Sequence, residues 1–269
     1  MRWTDLIRSS PGRMISNLAD PMYREYLWLL ARYGRKRNVS TMRIPFLTFS
    51  VDVNDSLSFI YQFKDIFYRR LYLFPSVIGQ PVIIDCGANI GVSCLFFRRM
   101  YPGCRLFPYE ADPLNAGLLR TNLQNNGIVD SEVIEAAVWT HAKGVRFETG
   151  SSDAGRIVGG RGGKRCRSVR LRDELRRHRT VDFLKMDIEG AEVDVLADCG
   201  EALSRVKFLY VEYHAWEGSP QRLHELLGLL TRQGFRYAVR DLEVDGASER
   251  NPYIGVGNTT QYHVFASRA

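Results

Sequence analysis

The chain has 269 residues, a net charge of +7 and an apolar share of 45%. That length can bury a sizeable core in one large domain, and the composition is that of a soluble globular protein. No run of about 18 uncharged apolar residues exists, which argues against a membrane-spanning helix, and Met1-Arg2-Trp3-Thr4-Asp5 lacks the apolar core of a secretory signal. Five cysteines (86, 94, 104, 166 and 199) show no paired C-x-x-C spacing. They read as reduced thiols of a cytoplasmic protein, not as a disulfide frame or a zinc site.

Residues 1–80 read as an N-terminal extension that packs on a core domain, residues 81–269. Asp20-Pro21 opens a helix, with the acid as N-cap and proline in the first turn, and Gly34 closes it. Met22, Tyr26, Leu29, Leu30 and Tyr33 give that helix an apolar stripe. Arg35-Lys36-Arg37 is a polar break. Leu47–Val51 alternates like a strand. Asp55 caps a second helix in which Phe59, Phe63 and Phe67 recur at helical spacing, as a core stripe does.

Val82-Ile83-Ile84 then runs into Asp85, a tight Gly87–Gly91 loop and a helix to about 101, the order strand, turn, helix. Glycines here would let a ligand sit against the backbone. Glu110, 19 residues past Gly91, ends the next strand (105–109) and suits a ribose diol. The loop is not G-x-G-x-x-G, because Asn89 stands where the second glycine would let a backbone approach a pyrophosphate. An adenosine ligand without phosphates fits better. S-adenosyl-L-methionine is such a ligand, and Asp85 could pair with its amino group.

Asp112 and Pro113 start a helix that Gly127 ends, and 132–138 reads as a third strand. Residues 145–148 and 167–170 are expected to form a hairpin around a loop. From Arg156 to Arg179 there are ten Lys or Arg and two acids, Asp173 and Glu174. Such a stretch suits a phosphate-bearing or otherwise anionic acceptor, or peripheral contact with an anionic membrane surface. It lacks the interleaved aromatics of a base-stacking platform, so no nucleic acid is expected.

Strand 182–187 ends in acids: Asp187, Glu189 and Glu192 follow within six residues, beside Gly190. Ligands bind at the carboxyl ends of strands in parallel α/β sheets, so these acids are placed for chemistry. Strand 207–213 brings Glu212 and His214, two apart and so on one side of an extended chain. An acid and an imidazole there suit general-base work or metal binding. Helices at 190–198 and 220–233 and a final antiparallel edge pair, 235–239 and 261–266, complete an α/β pattern. It predicts a mainly parallel sheet covered on both faces.

Taken together, Ile84–Gly91, Tyr109-Glu110-Ala111-Asp112-Pro113, Glu135–Trp139, Asp182–Glu192 and Val211-Glu212-Tyr213-His214 resemble the FkbM family of S-adenosylmethionine-dependent methyltransferases. The segments occur in the family's order over roughly residues 55–240. Tyr109 and Ala111 depart from its common Phe or Val and Pro. The resemblance implies a Rossmann-like class I methyltransferase fold with a seven-stranded sheet, and O-methylation of hydroxyls on sugars, glycolipids or polyketide-type products. It implies that Asp85, Gly87, Ala88, Asn89 and Gly91 hold the methionine part and Glu110 the ribose. Asp112, Ala136 and Ala137 would border the adenine, with Asp187 beside the cofactor. His214 is then the expected general base, with Asp187 or Glu189 orienting it. The alternative is a magnesium ion on Asp187, Glu212 and His214. Ser152, Asp153, Arg156 and Glu192 are the expected acceptor contacts, in a monomer or homodimer. A sugar or glycan, lipid- or nucleotide-linked, is the preferred acceptor, with a polyketide or peptide natural product as alternative. A dinucleotide-dependent oxidoreductase is the rival from another class.

Overall fold

The computed structural model describes residues 18–34, 41–76, 79–148, 156–157, 163–242 and 260–268. The expected polar break at Arg35-Lys36-Arg37, the acceptor contacts Ser152 and Asp153, and residues 159–162 of the glycine-rich stretch lie outside them.

Helix α1 (Pro21–Tyr33) starts as its sequence predicts: the Asp20 carboxylate accepts from the Met22 N–H at 2.7 Å, and Gly34 bonds back to the Leu30 carbonyl. A hairpin follows, β1 (Met42–Phe46) against β2 (Phe49–Val53). The strand expected across 47–51 is corrected here. Leu47 adopts φ +48° in the connecting turn, so the chain reverses there and β2 begins at Phe49. Asp55 caps α2 (Ser56–Phe63), which widens into a π-helical turn, Lys64–Tyr68. Phe59, Phe63 and Phe67 are all buried, and Phe63 stacks on Phe67 at 5.4 Å, so the stripe is core as expected.

The main sheet is built from β3 (Val82–Cys86), β4 (Arg105–Glu110), β5 (Ile134–Glu135), β11 (Val181–Met186), β12 (Val206–Ala215), β13 (Arg236–Arg240) and β14 (Thr260–Ser267). Its seven strands run in the order β13-β14-β12-β11-β3-β4-β5. Pairings from β12 to β5 are parallel, and β14 lies antiparallel between β12 and β13. The predicted α/β architecture and the final antiparallel pair are both present.

Three local expectations shift. The strand expected at 132–138 splits at Ala136, and its second part, β6 (Ala137–Trp139), leaves the main sheet to pair in parallel with β10 (Ser168–Arg170). The hairpin partner of β7 (Val145–Glu148) is therefore β9 (Lys164–Cys166), with β8 (Arg156–Ile157) on β7's other side. The last long helix, α7 (Leu223–Arg232), begins after Pro220 rather than at it.

Strand alternation sends Ile83, Phe183 and Tyr210 to one face of the sheet and Ile84, Leu184, Leu209 and Val211 to the other. The first face packs against α3 (Val92–Met100), α4 (Pro113–Asn125) and the described part of the extension. The second packs against α5 (Leu171–Arg176), α6 (Glu192–Cys199) and α7. The extension is clasped to the core by two asparagines of α4 and its end. Asn122 accepts from the Asp52 N–H at 2.7 Å and donates to the Asp52 and Ile90 carbonyls. Asn126 accepts from the Ser50 N–H and donates to the Ser50 carbonyl. Their side chains take the place of a third strand at the hairpin edge. Among the described residues, no helix is long and apolar enough to cross a membrane.

Candidate active site at the carboxyl edge of the sheet

At the end of β3, Asp85 is wholly buried. Its Oδ2 accepts from the Ser93 hydroxyl at 2.6 Å, while its Oδ1 has no hydrogen bond and lies 3.4 Å from the Lys185 ammonium. The loop that follows is tied to β4: the Gly87 and Ala88 N–H groups both donate to the Tyr109 carbonyl. Asn89, left-handed at φ +50°, donates its N–H to Glu110 Oε2 at 2.7 Å. The glycines also answer a demand of the chain itself. A Cβ on Gly87 would stand 1.8 Å from the Asp187 carbonyl oxygen, and one on Gly91 2.7 Å from Leu119 Cδ1. Close approach of neighbouring chain, together with positive φ, sets the glycine requirement at both positions.

Glu110 also accepts from the Asp112 N–H at 2.8 Å. Burial pushes its carboxyl up to about 7, against the pull of those two backbone donors. Asp112 caps α4, accepting from Leu114 and Asn115. Ala136 and Ala137 are buried, their N–H groups held by the Glu110 and Arg167 carbonyls.

The second half of the edge comes from β11 and β12. Lys185 is buried in a strand whose six residues are all enclosed. Its ammonium donates to the Gly87 carbonyl at 2.7 Å and lies 3.3 Å from Asp187 and 3.4 Å from Asp85. Burial opposes that charge, but Asp187 and Asp85 outweigh it and hold the pKa well above the ordinary lysine value. Glu212 accepts from the Tyr210 hydroxyl at 2.9 Å and from the Gln261 amide, and Tyr210 also bonds His263 Nδ1 at 2.6 Å. Burial, then the nearby Asp187 charge, raises Glu212 to about 8.

His214 stands among acids on both sides of its ring. Nδ1 is 3.5 Å from Glu192 without a well-aligned hydrogen bond, and Nε2 is 3.7 Å from Glu189 and 3.8 Å from Glu212. Burial works against the imidazolium, yet Glu192, Glu189 and Asp187 together raise it to about 10. The Trp216 ring stacks on it at 5.9 Å.

The structure thus brings together Asp85, Asp187, Glu189, Glu192, Glu212 and His214. Glu192 sits differently from its expected role as an acceptor contact. It is fully buried, and its Oε1 accepts from the Ile188 and Gly190 N–H groups, bracing the loop that carries Glu189. Arg156 lies on β8 opposite Glu148, in the three-stranded sheet β8-β7-β9 and not in the main sheet. Lys185, Tyr210, His263 and Tyr72 were not foreseen. Only Lys185 left a sequence signal, a charge inside the apolar run of β11. Donor atoms of Asp187, Glu212 and His214 lie within 4.8 Å of one another, the set foreseen for a cation.

The family profile described as "Methyltransferase FkbM domain" matches residues 85–237, more than half of the chain. Methyltransferase sdnD of Sordaria araneosa is 27% identical over 66% of this chain and 81% of its own length. The 31-O-demethyl-FK506 methyltransferase FkbM of Streptomyces tacrolimicus is 29% identical over 73% of this chain and 89% of its own. The 2-O-methyltransferase NoeI of Sinorhizobium fredii is 28% identical over 54% of this chain and 66% of its own. The solved structure of methyltransferase FkbM from Methylobacillus flagellatus shares the fold, with a TM-score of 0.51 at 16% identity over 94% of this chain and 60% of that one. The loop, the acid edge and the matched profile lead to one statement: the chain belongs to the FkbM family of S-adenosylmethionine-dependent methyltransferases.

Proposed function

We propose that the chain methylates a hydroxyl group of a sugar or glycan, lipid- or nucleotide-linked. Its chemistry is carried by one observation: five carboxylates (Asp85, Asp187, Glu189, Glu192 and Glu212) converge on two basic groups, Lys185 and His214, at the carboxyl edge of β3, β11 and β12. S-adenosylmethionine supplies an activated methyl group on a cationic sulfur. The residues fit it: the acid excess suits a cation, and the buried Asp85 Oδ1 lacks a hydrogen-bond partner. Asp85, Gly87, Ala88, Asn89 and Gly91 would hold the methionine end, and Glu110 the ribose. Asp112, Ala136 and Ala137 would border the adenine.

Aliphatic hydroxyls are weak acids, so the site must take up or weaken a proton. His214 is expected from sequence as the base, but acids flank both of its ring nitrogens, and only the imidazolium donates to both sides. We therefore place the base on Asp187, whose side chain is 24% exposed, and give His214 the part of a fixed positive charge. A second version is favoured by the clustering of Asp187, Glu212 and His214, which suits a magnesium ion that would lower the hydroxyl pKa. Activity that vanishes with EDTA and returns with magnesium would select the second version.

Two of the relatives are named for O-methylation. A phosphate-bearing acceptor is supported by the exposed Lys143, Arg146, Lys164, Arg165 and Arg167. Cys166 Sγ, 3.4 Å from the Ala111 carbonyl, anchors those strands beside Glu110 and Asp112. In this reading residues 1–80 and 81–269 work as one unit, because the extension shares a core with the sheet. The test is label transfer from methyl-labelled S-adenosylmethionine to panels of sugar-nucleotide, lipid-linked glycan, polyketide and peptide acceptors. Transfer confined to the last two would replace the glycan by the natural-product alternative.

A further inference from the structure

Tyr72 follows the π-helical turn of the extension, and only 4% of it is exposed. Its ring meets Tyr210 edge-on at 4.9 Å and stacks against Phe97 at 5.8 Å, with the Lys185 ammonium 5.8 Å from its centroid. The extension thereby sets a phenol against the strand ends that carry Asp85, Lys185, Asp187 and Glu212. Burial first, then the nearby acids, keep that phenol protonated, a donor across the working pH range.

Three other buried tyrosines and the half-buried Tyr101 have partners for their hydroxyls. Tyr101 bonds Phe74, Tyr109 bonds Glu174, Tyr210 bonds Glu212 and His263, and Tyr213 accepts from Arg222. The Tyr72 hydroxyl makes no hydrogen bond with any described residue. The ring is enclosed, and it lies beside the Lys185 ammonium that the acids Asp85 and Asp187 also face.

The amino-acid end of S-adenosylmethionine carries an ammonium and a carboxylate. Asp85 and Asp187 match the first and repel the second. Lys185 is the other donor at this place, but it is committed to the Gly87 carbonyl and to both acids. We propose that the Tyr72 hydroxyl donates a hydrogen bond to the methionyl carboxylate of the cofactor, so that the N-terminal extension completes the cofactor site. This rests on the cofactor placement given above.

The test is a cycle of dissociation constants by calorimetry. S-adenosylhomocysteine and its decarboxylated analogue, which keeps the ammonium, are each titrated into the wild type and Tyr72→Phe. Removing the carboxylate should weaken binding to the wild type by about tenfold and to Tyr72→Phe by less than about twofold, as a charge-assisted hydrogen bond requires. A purely structural Tyr72 would shift both ligands equally. Equal loss of affinity in the two proteins on removing the carboxylate overturns the proposal. A wild type that binds neither ligand overturns the cofactor placement itself. Since Tyr72→Phe keeps the ring packing, its melting temperature should stay near that of the wild type. Should the variant nevertheless unfold, the wild type alone decides: equal affinity for the two ligands sinks the proposal, and a tenfold preference for the carboxylate form supports it.

Discussion

The glycine loop and the acid cluster sit side by side on one sheet edge, yet they are held in opposite ways. In the loop, the N–H groups of Gly87, Ala88, Asn89 and Gly91 all have partners, and both Glu110 oxygens accept backbone donors. In the cluster, charges face one another at 3.3–3.8 Å, and Asp85 Oδ1, Glu192 Oε2 and His214 Nδ1 are buried without a hydrogen bond. A saturated region keeps its shape whatever is bound. An unsaturated one carries a standing electrostatic cost that a ligand can relieve. The contrast separates a frame from a reactive surface.

Breaking the frame should have the largest effect. Gly87→Ala drives a methyl group into the Asp187 carbonyl at a left-handed position, so we expect a loss of about 4 kcal/mol or more, read as a collapse of the thermal transition. Breaking the reactive surface should spare the fold and stop the chemistry. Asp187→Asn is expected to cost roughly a thousandfold in methyl-transfer rate, the range of a lost general base, with a near-native melting temperature. A variant that unfolds instead would put Asp187 in the frame. Asn122 belongs to the frame at one remove. Asn122→Ala leaves the Asp52 N–H and the Ile90 carbonyl unpaired, and chemical denaturation should show a loss of about 2–3 kcal/mol.

The smallest effect sharpens the boundary, because Glu110 belongs to both regions. Its folded pKa of about 7 stands above the ordinary 4.5, so the folded state takes up a proton between those values. The contribution of Glu110 to the stability of the unliganded protein, read as the difference between the wild type and Glu110→Gln, should therefore fall as pH rises from 4.5 to 7 and then level off. If the ionised form binds the ribose diol, S-adenosylhomocysteine should bind about tenfold more tightly at pH 8 than at pH 6. Calorimetry on Glu110→Gln should show that dependence flattened, and an unchanged pH profile would remove Glu110 from the cofactor site.

What the sequence disclosed follows the same division. Local devices were legible: the Asp-Pro helix starts at 20–21 and 112–113, the Asp55 cap, and the acids that end β3 and β11. Each depends on neighbours within a few residues. The β7–β9 pairing was misjudged because β10 is claimed by β6, a contact set by the path of the chain rather than by alternation. The glycine requirement is visible in the sequence, but the close approach of the chain at Gly87 is not, since the carbonyl that excludes a side chain there belongs to residue 187. Tyr72, Tyr210 and His263 lie far apart along the chain and meet only through the sheet order β14-β12-β11 and the roof above it. The role of Lys185 is hidden in the sequence because a lysine in an apolar run looks like an interruption of a strand. Register shows instead that it lies beside Asp85.

The widened turn at Lys64–Tyr68 bears on how this family member tolerates change in length. A π-turn holds one residue more than the regular helix it interrupts. Deleting a single residue there would restore ordinary helical bonding and raise local helicity. Because the extra residue is taken up within the turn, the residues beyond it would keep their phase, and Tyr72 would stay aimed at the strand ends. An irregularity that weakens the helix locally is thus a shock absorber for chain length, sparing the side chains beyond it a change that a regular helix would pass on.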